Sequence, residues 1–155
     1  MKQTFALALL LCSLFACKSL ETSIAPEQLQ SAADSRNFAI DITDMYPMRA
    51  PGKYVGGDYF VRVSGDSVSS YLPYMGRAYR ASYNGGNPLD FDGPMLTYES
   101  GVGKRNASIV QFTARSEQEV LAYRIVLYAN GEADVDVASN NRDFISYKGR
   151  VRLPE

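Results

Sequence analysis

The sequence predicts a mainly β domain, an antiparallel sandwich or a partly closed barrel with one N-terminal helix, and three observations carry that reading. Apolar residues recur at every second position through most of the chain, the spacing that places them on one face of a pleated strand. Turn clusters, "NGGNP", "SGVGK" and "ANG", interrupt these runs at short intervals. One stretch has helical character, and it precedes all the strands.

That stretch is Pro26 to Ser35. Proline suits the first helical position, Glu27 favours the positive end of the helix dipole, and Leu29, Ala32 and Ala33 form a narrow apolar stripe. Phe38, Ile40 and Ile42 then alternate with Ala39, Asp41 and Thr43 until Pro47 stops the run. Tyr59, Val61 and Val63 alternate with Phe60 and Arg62, and Gly65-Asp66 supplies a two-residue turn that pairs Val63 with Val68 and Phe60 with Tyr71. Further strands are expected at Leu89 to Tyr98, Ala107 to Ala114, Val120 to Ala129, Glu132 to Ala138 and Phe144 to Leu153.

Two rules disagree about the hairpin Leu121 to Ser139. Asn130-Gly131 favours a two-residue turn pairing Ala129 with Glu132, and that register puts Asp134 and Asp136 on the face that carries Leu121, Tyr123, Ile125 and Leu127. A three-residue loop with Gly131 left-handed in a bulge instead sets Leu127 against Ala133, Ile125 against Val135 and Tyr123 against Val137. Burying an unpaired carboxylate costs several kcal/mol, so the three-residue loop is expected.

Residues 1 to 16 read as an address rather than as fold. Lys2 precedes the uncharged run "TFALALLLCSLFA", Thr4 to Ala16, which is thirteen residues long. A membrane-spanning helix needs about 20 apolar residues, whereas a secretory h-region is this short. The run ends in "LFAC", Leu14 to Cys17, which resembles the bacterial lipobox and implies lipidation of Cys17; Phe15 is bulkier than that motif usually carries. Ordinary signal cleavage near Ala16 or Ala25, releasing a free protein, is the alternative. Each buried CH₂ of an acyl chain contributes about 0.8 kcal/mol, so several chains anchor firmly. The expected organisation is a signal peptide at 1–16, a lipid-anchored tether at 17–25 and a single β-rich domain at 26–155. The expected place is the outer membrane, facing the periplasm, because "KSLE" after Cys17 lacks paired acids.

Removing the signal takes Cys12 with it and leaves Cys17 as the sole cysteine, so the mature domain has no disulfide and must be held by its core. Without Lys2 the balance is fifteen basic against seventeen acidic side chains, which argues against nucleic acid as a partner. The chain has no histidine. That removes Ser-His and Cys-His dyads and the usual zinc and copper ligands, and no spacing supports a Ser-Lys pair, so catalytic residues, metal and cofactor are all expected to be none. Asp90 with Asp92, and Asp134 with Asp136, project pairwise from strands, a pattern that more often marks a solvent face than an acid-base pair. "NGGNPLDFD", Asn84 to Asp92, offers oxygen ligands for calcium but lacks the order of a recognised calcium loop.

The richest candidate contact surface lies between Ser69 and Gly86. Tyr71, Tyr74, Tyr79 and Tyr83 carry flat amphipathic faces, with Arg77 and Arg80 beside them as donors to a ligand or partner. Tyrosine is also a favoured strand residue that straddles core and water, so the stretch reads mainly as a structural edge, with the contact surface as the second reading.

"SYLPYMGRAY" (Ser70 to Tyr79), "NGEADVDVAS" (Asn130 to Ser139), "NRDFISYKGRV" (Asn141 to Val151) and "MYPMR" (Met45 to Arg49) together resemble an uncharacterised family of exported Bacteroidetes proteins, domain of unknown function 4251. The resemblance implies export, lipid anchoring and an envelope setting, and it implies no activity. Two function classes therefore stand: a noncatalytic binding module for a small ligand, glycan or peptide, and a structural or assembly lipoprotein that meets another envelope protein. A cavity inside the β domain would favour the first, and an exposed apolar patch the second.

Overall fold

A computed structural model describes residues 23–79, 87, 89–116 and 119–154. One helix, α1 (Pro26–Asp34), is followed by eight strands: β1 (Asn37–Pro47), β2 (Lys53–Ser64), β3 (Ser67–Tyr71), β4 (Asp90–Val102), β5 (Ser108–Arg115), β6 (Val120–Leu127), β7 (Glu132–Ser139) and β8 (Arg142–Arg152). Each strand pairs antiparallel with the next, and β8 returns to pair with β1, so the sheet is a closed barrel. Of the two architectures the sequence allowed, the barrel forms, and it closes fully rather than partly. Closure needs a first strand with two usable edges, and the eleven-residue β1 supplies them: Ile40 faces Val61 on one side and Val151 on the other. Pairing both edges removes the exposed backbone that an open sheet leaves for other chains.

The period-two runs fill the interior. Phe38, Ile40 and Ile42 of β1, Val61 and Val63 of β2, Val110 and Phe112 of β5, and Leu121, Tyr123, Ile125 and Leu127 of β6 are all buried. Phe112 and Tyr123 stack at 4.8 Å, and Tyr98 continues the stack on the other side of Phe112 at 6.3 Å. The Tyr123 hydroxyl is buried but shares a 3.0 Å hydrogen bond with Ser70 Oγ, which in turn donates to the Leu89 carbonyl at 2.9 Å. Burial raises the Tyr123 phenol above its ordinary pKa, so it stays a neutral donor.

Both turns foreseen from the sequence set the register as expected. Val63 faces Val68 and Phe60 faces Tyr71 across Gly65-Asp66. In the later hairpin Leu127 faces Ala133, Ile125 faces Val135, Tyr123 faces Val137 and Arg124 faces Asp136. Gly131 takes φ +79°, and its N–H closes a turn onto the Tyr128 carbonyl at 2.9 Å. Strand β2 begins earlier than its alternation suggested, because Gly56 and Gly57 interrupt the apolar pattern without ending the pairing.

The two ends of the barrel are covered differently. Helix α1 seats Leu29, Ala32 and Ala33 in the core, and the Tyr98 hydroxyl donates to the Ala33 carbonyl at 2.5 Å. A nine-residue helix is marginal alone, so this packing is what holds it. At the opposite end, here called the mouth, the described residues of the connection from β3 to β4, 72–79, 87 and 89, cover the opening, with Leu72 and Leu89 in the core. The Tyr147 hydroxyl donates to the Pro73 carbonyl from below at 2.7 Å.

Candidate functional site

The mouth gathers Tyr74, Arg77 and Tyr79, three of the six contact candidates from the sequence, around a residue that the sequence did not single out. Asp143, near the start of β8, has its side chain 1% exposed and is met from three directions. The Tyr79 hydroxyl donates to Oδ1 at 2.5 Å, the Arg77 backbone N–H donates to Oδ2 at 3.1 Å, and Arg49 Nε donates to Oδ2 at 2.9 Å. The Tyr79 hydroxyl, then the Arg77 N–H, then Arg49 stabilise the ionised form against the cost of burial and hold the Asp143 carboxyl down at about 2. Arg49, in turn, is held more firmly protonated than usual by Asp143 and Tyr79. The backbone is stitched as well: Asp143 N–H donates to the Arg77 carbonyl at 3.0 Å and Tyr79 N–H to the Asn141 carbonyl at 2.7 Å.

Beside this cluster lies a second buried charge pair. Arg142 Nε donates to Glu119 Oε1 at 2.5 Å, with side chains 8% and 4% exposed, and Ser139 Oγ donates to the other Glu119 oxygen. The Arg142 guanidinium also sits 5.6 Å from the centre of the Tyr74 ring, whose hydroxyl donates to the Asp143 carbonyl at 3.2 Å. Charged groups this deep survive only when paired and hydrogen-bonded, and these are.

The tyrosines therefore do not form one platform. The Tyr74 and Tyr79 hydroxyls and the Arg77 backbone pin the connection to β8, while the Arg77 side chain is exposed. Tyr71 stands apart on β3, its ring 5.2 Å from Tyr59 and 6.2 Å from Phe60. Arg80 and Tyr83 lie outside the described residues, as does Cys17. Of the calcium candidates, Asn84 lies outside them too, while Asn87 is engaged in the turn: Nδ2 donates to the Leu72 carbonyl at 2.6 Å and Oδ1 accepts from Leu89 N–H at 3.1 Å. Asp90 and Asp92 are exposed on the outer face of β4. Asp134 accepts from the Tyr128 hydroxyl at 2.8 Å, and Asp136 accepts from Ser146 at 2.7 Å and faces Arg124 at 3.7 Å, so this carboxylate pair is tied into the wall. Among the described residues, no group of three or more His, Cys, Asp or Glu side chains is placed to hold a metal ion.

Two surfaces remain that the sequence did not reveal. At the mouth, Met48, Tyr54, Met75, Tyr79 and Phe144 are exposed, and among the described residues Leu96 and Val102 are the large exposed apolar side chains that lie away from that half of the barrel. On the outer wall, the turn between β4 and β5 folds back over β5 and β6 and encloses a groove of about 820 Å³. The signal for the mouth was present: Arg49, Tyr74, Arg77, Tyr79, Arg142 and Asp143 all belong to the blocks "MYPMR", "SYLPYMGRAY" and "NRDFISYKGRV". What was missing was that three separated blocks meet in space.

Comparison with known proteins fits this geometry. No curated protein matches the chain. The model of a domain of unknown function, DUF4251, matches residues 22–151. Among solved structures, the chain is similar to a DUF4251 family protein from Bacteroides eggerthii DSM 20697, with 16% identity, a TM-score of 0.64, and 85% of this chain and 90% of that one covered. With the family model spanning the helix and all eight strands up to Val151, and a solved member sharing the fold, the chain belongs to the DUF4251 family.

Proposed function

We propose that the protein is an exported lipoprotein, anchored through Cys17, that works without catalysis and presents its barrel mouth to another protein of the cell envelope. The observation that carries this reading is the contrast between inside and outside. The interior positions are occupied by core side chains, so a small ligand in the barrel has little support, while the exposed apolar residues gather at one end. Met48, Tyr54 and Phe144 are 64%, 73% and 43% exposed there. Exposed clusters of this kind on a folded domain mark contact surfaces.

The direction of the chain supports the same reading. Ile24 N–H donates to the Ala129 carbonyl at 2.8 Å, so the tether enters at the helix end, beside the turn between β6 and β7. Cys17 to Thr22 can extend at most about 21 Å. The mouth lies a strand's length further out, roughly 25 Å once the tilt of barrel strands is allowed for. Lys53 and Arg77 are exposed at the mouth, so the complementary partner has apolar residues flanked by acids.

Anchoring is tested by fractionating cells that make Cys17→Ala or Cys12→Ala. Release of the first alone supports the reading, and equal membrane retention of both overturns it. For the mouth, a photo-crosslinking residue at Phe144 should join one envelope protein that a residue at Gln111 on the wall does not reach. The purified partner should bind Phe144→Asp at least tenfold more weakly than the unaltered protein. Crosslinks to lipid alone, or equal binding by Phe144→Asp, would refute the partner.

A further inference from the structure

The groove on the outer wall is separate from the mouth and rests on different observations. Its floor is apolar although it lies on the outward face of the sheet: Ile109 of β5 faces Val126 of β6, and Val126 is only 8% exposed. The cover is the turn Gly103–Ala107, closed by a hydrogen bond from Gly103 N–H to the Ala107 carbonyl at 2.7 Å. A Cβ at Gly103 would stand 2.5 Å from Ile109 Cδ1, so the turn rests directly on that side chain. Arg105 and Asn106 both take left-handed backbone, with φ +55° and +57°. Asparagine tolerates this region, but Arg105 is neither glycine nor asparagine, so its conformation is strained by about 1 kcal/mol or more. Strain of this kind collects where a particular presentation of side chains is needed.

What the turn presents is positive charge. Lys104 and Arg105 line the groove from the turn and Lys148 lines it from β8. Among the described residues none of the three has a carboxylate within 4.0 Å. The two acids that also line it, Asp134 and Asp136, are already engaged by Tyr128, Ser146 and Arg124. Asp134 stands across the β7–β8 ladder from Lys148, and the lining as a whole, Lys104, Arg105, Arg124 and Lys148 against Asp134 and Asp136, carries net positive charge over an apolar floor. A volume of this order suits a single small molecule.

We infer that this groove binds a small amphipathic acid, an aromatic or alkyl body lying on Ile109 and Val126 with its anionic group held by Lys104, Arg105 and Lys148. A cation is disfavoured because four cationic side chains, Lys104, Arg105, Arg124 and Lys148, outnumber the two carboxylates in the lining. A neutral apolar molecule would gain the floor and leave the three cations as they are.

The full domain can be titrated with 8-anilinonaphthalene-1-sulfonate, which has an aromatic body and a sulfonate, and with N-phenyl-1-naphthylamine, which has the same body without the charge. The sulfonate should bind saturably at one site, at least tenfold more tightly than the amine. Lys104→Gln with Arg105→Gln should weaken the sulfonate at least tenfold and leave the amine within about twofold, with melting temperature as the control for folding. Lys148→Gln should weaken the sulfonate by a smaller factor. Equal affinity for the two probes would overturn the inference. So would absence of saturable binding, unchanged sulfonate affinity in the charge variants, or loss of binding in Phe144→Asp instead, which would place the probe at the mouth.

Discussion

At the helix end the barrel is sealed by Leu29, Ala32 and Ala33, with one hydrogen bond from Tyr98 to finish the helix; at the mouth, Leu72 and Leu89 are laid under a lattice of charges built on Asp143, Arg49, Glu119 and Arg142. Apolar packing tolerates small shifts and ignores pH. A buried polar lattice demands each partner in place, and removal of one leaves the others desolvated and unmatched. The same topological task, closing a barrel end, is therefore done once by area and once by complementarity.

The contrast is broken most severely at the mouth. Glu119→Ala strips Arg142 of its carboxylate in a buried setting, and the expected loss is about 3–5 kcal/mol in denaturant unfolding. Hydrogen exchange should rise first at the amides of Arg77 and Tyr79, whose N–H groups bond Asp143 and Asn141. Unchanged protection there would mean that the lattice does not hold the connection. At the helix end, Leu29→Ala removes a fully buried side chain and should cost about 3 kcal/mol, with protection lost in α1 and unchanged at the mouth.

Acid separates the two ends without mutation. The Asp143 carboxyl is held at about 2, below its ordinary 3.8. A carboxyl lowered by folding contributes stability that is complete above its unfolded value and is lost as pH falls toward the folded one. Between pH 3.8 and about 2 the unaltered protein should lose melting temperature more steeply than Asp143→Asn, and Leu29→Ala should follow the unaltered slope. Parallel slopes for the protein and Asp143→Asn would remove Asp143 from the account. The smallest expected effect lies on β2 and β3, where alanine at Phe60 and Tyr71 should show a coupling of about 0.5–1 kcal/mol in a double-mutant cycle. Strict additivity would show that their 6.2 Å approach carries no energy of its own.

The helix end was legible in the sequence because each of its signals is local. Pro26, Glu27, Leu29, Ala32 and Ala33 sit within one short window, and the helix ends at Asp34 with Ser35 as its cap. The hairpin register was legible for a related reason: the alternation of Leu121, Tyr123, Ile125 and Leu127 outweighed the turn preference of Asn130-Gly131. The mouth was not. Glu119 and Arg142 drew no reading from the sequence, because nothing near them says that residues from Leu72 to Tyr79 will cover them. Tyr74 and Tyr79 read mainly as a structural edge, but what they hold could not be read, because their acceptors, the Asp143 carbonyl and carboxylate, lie far along the chain.

The seam between β1 and β8 also sets the order in which the molecule can be completed. A chain emerging from its N-terminus makes β1 early, yet the second edge of β1 has no partner until Arg142 to Arg152 arrive, and Ile42 must then meet Gly149 where a Cβ would stand 2.4 Å from the Asp41 carbonyl oxygen. Until that last strand is made, the nascent sheet is an open ribbon with an unpaired edge, unable to lock. Closure of the barrel therefore waits on the eleven residues of β8, Arg142–Arg152.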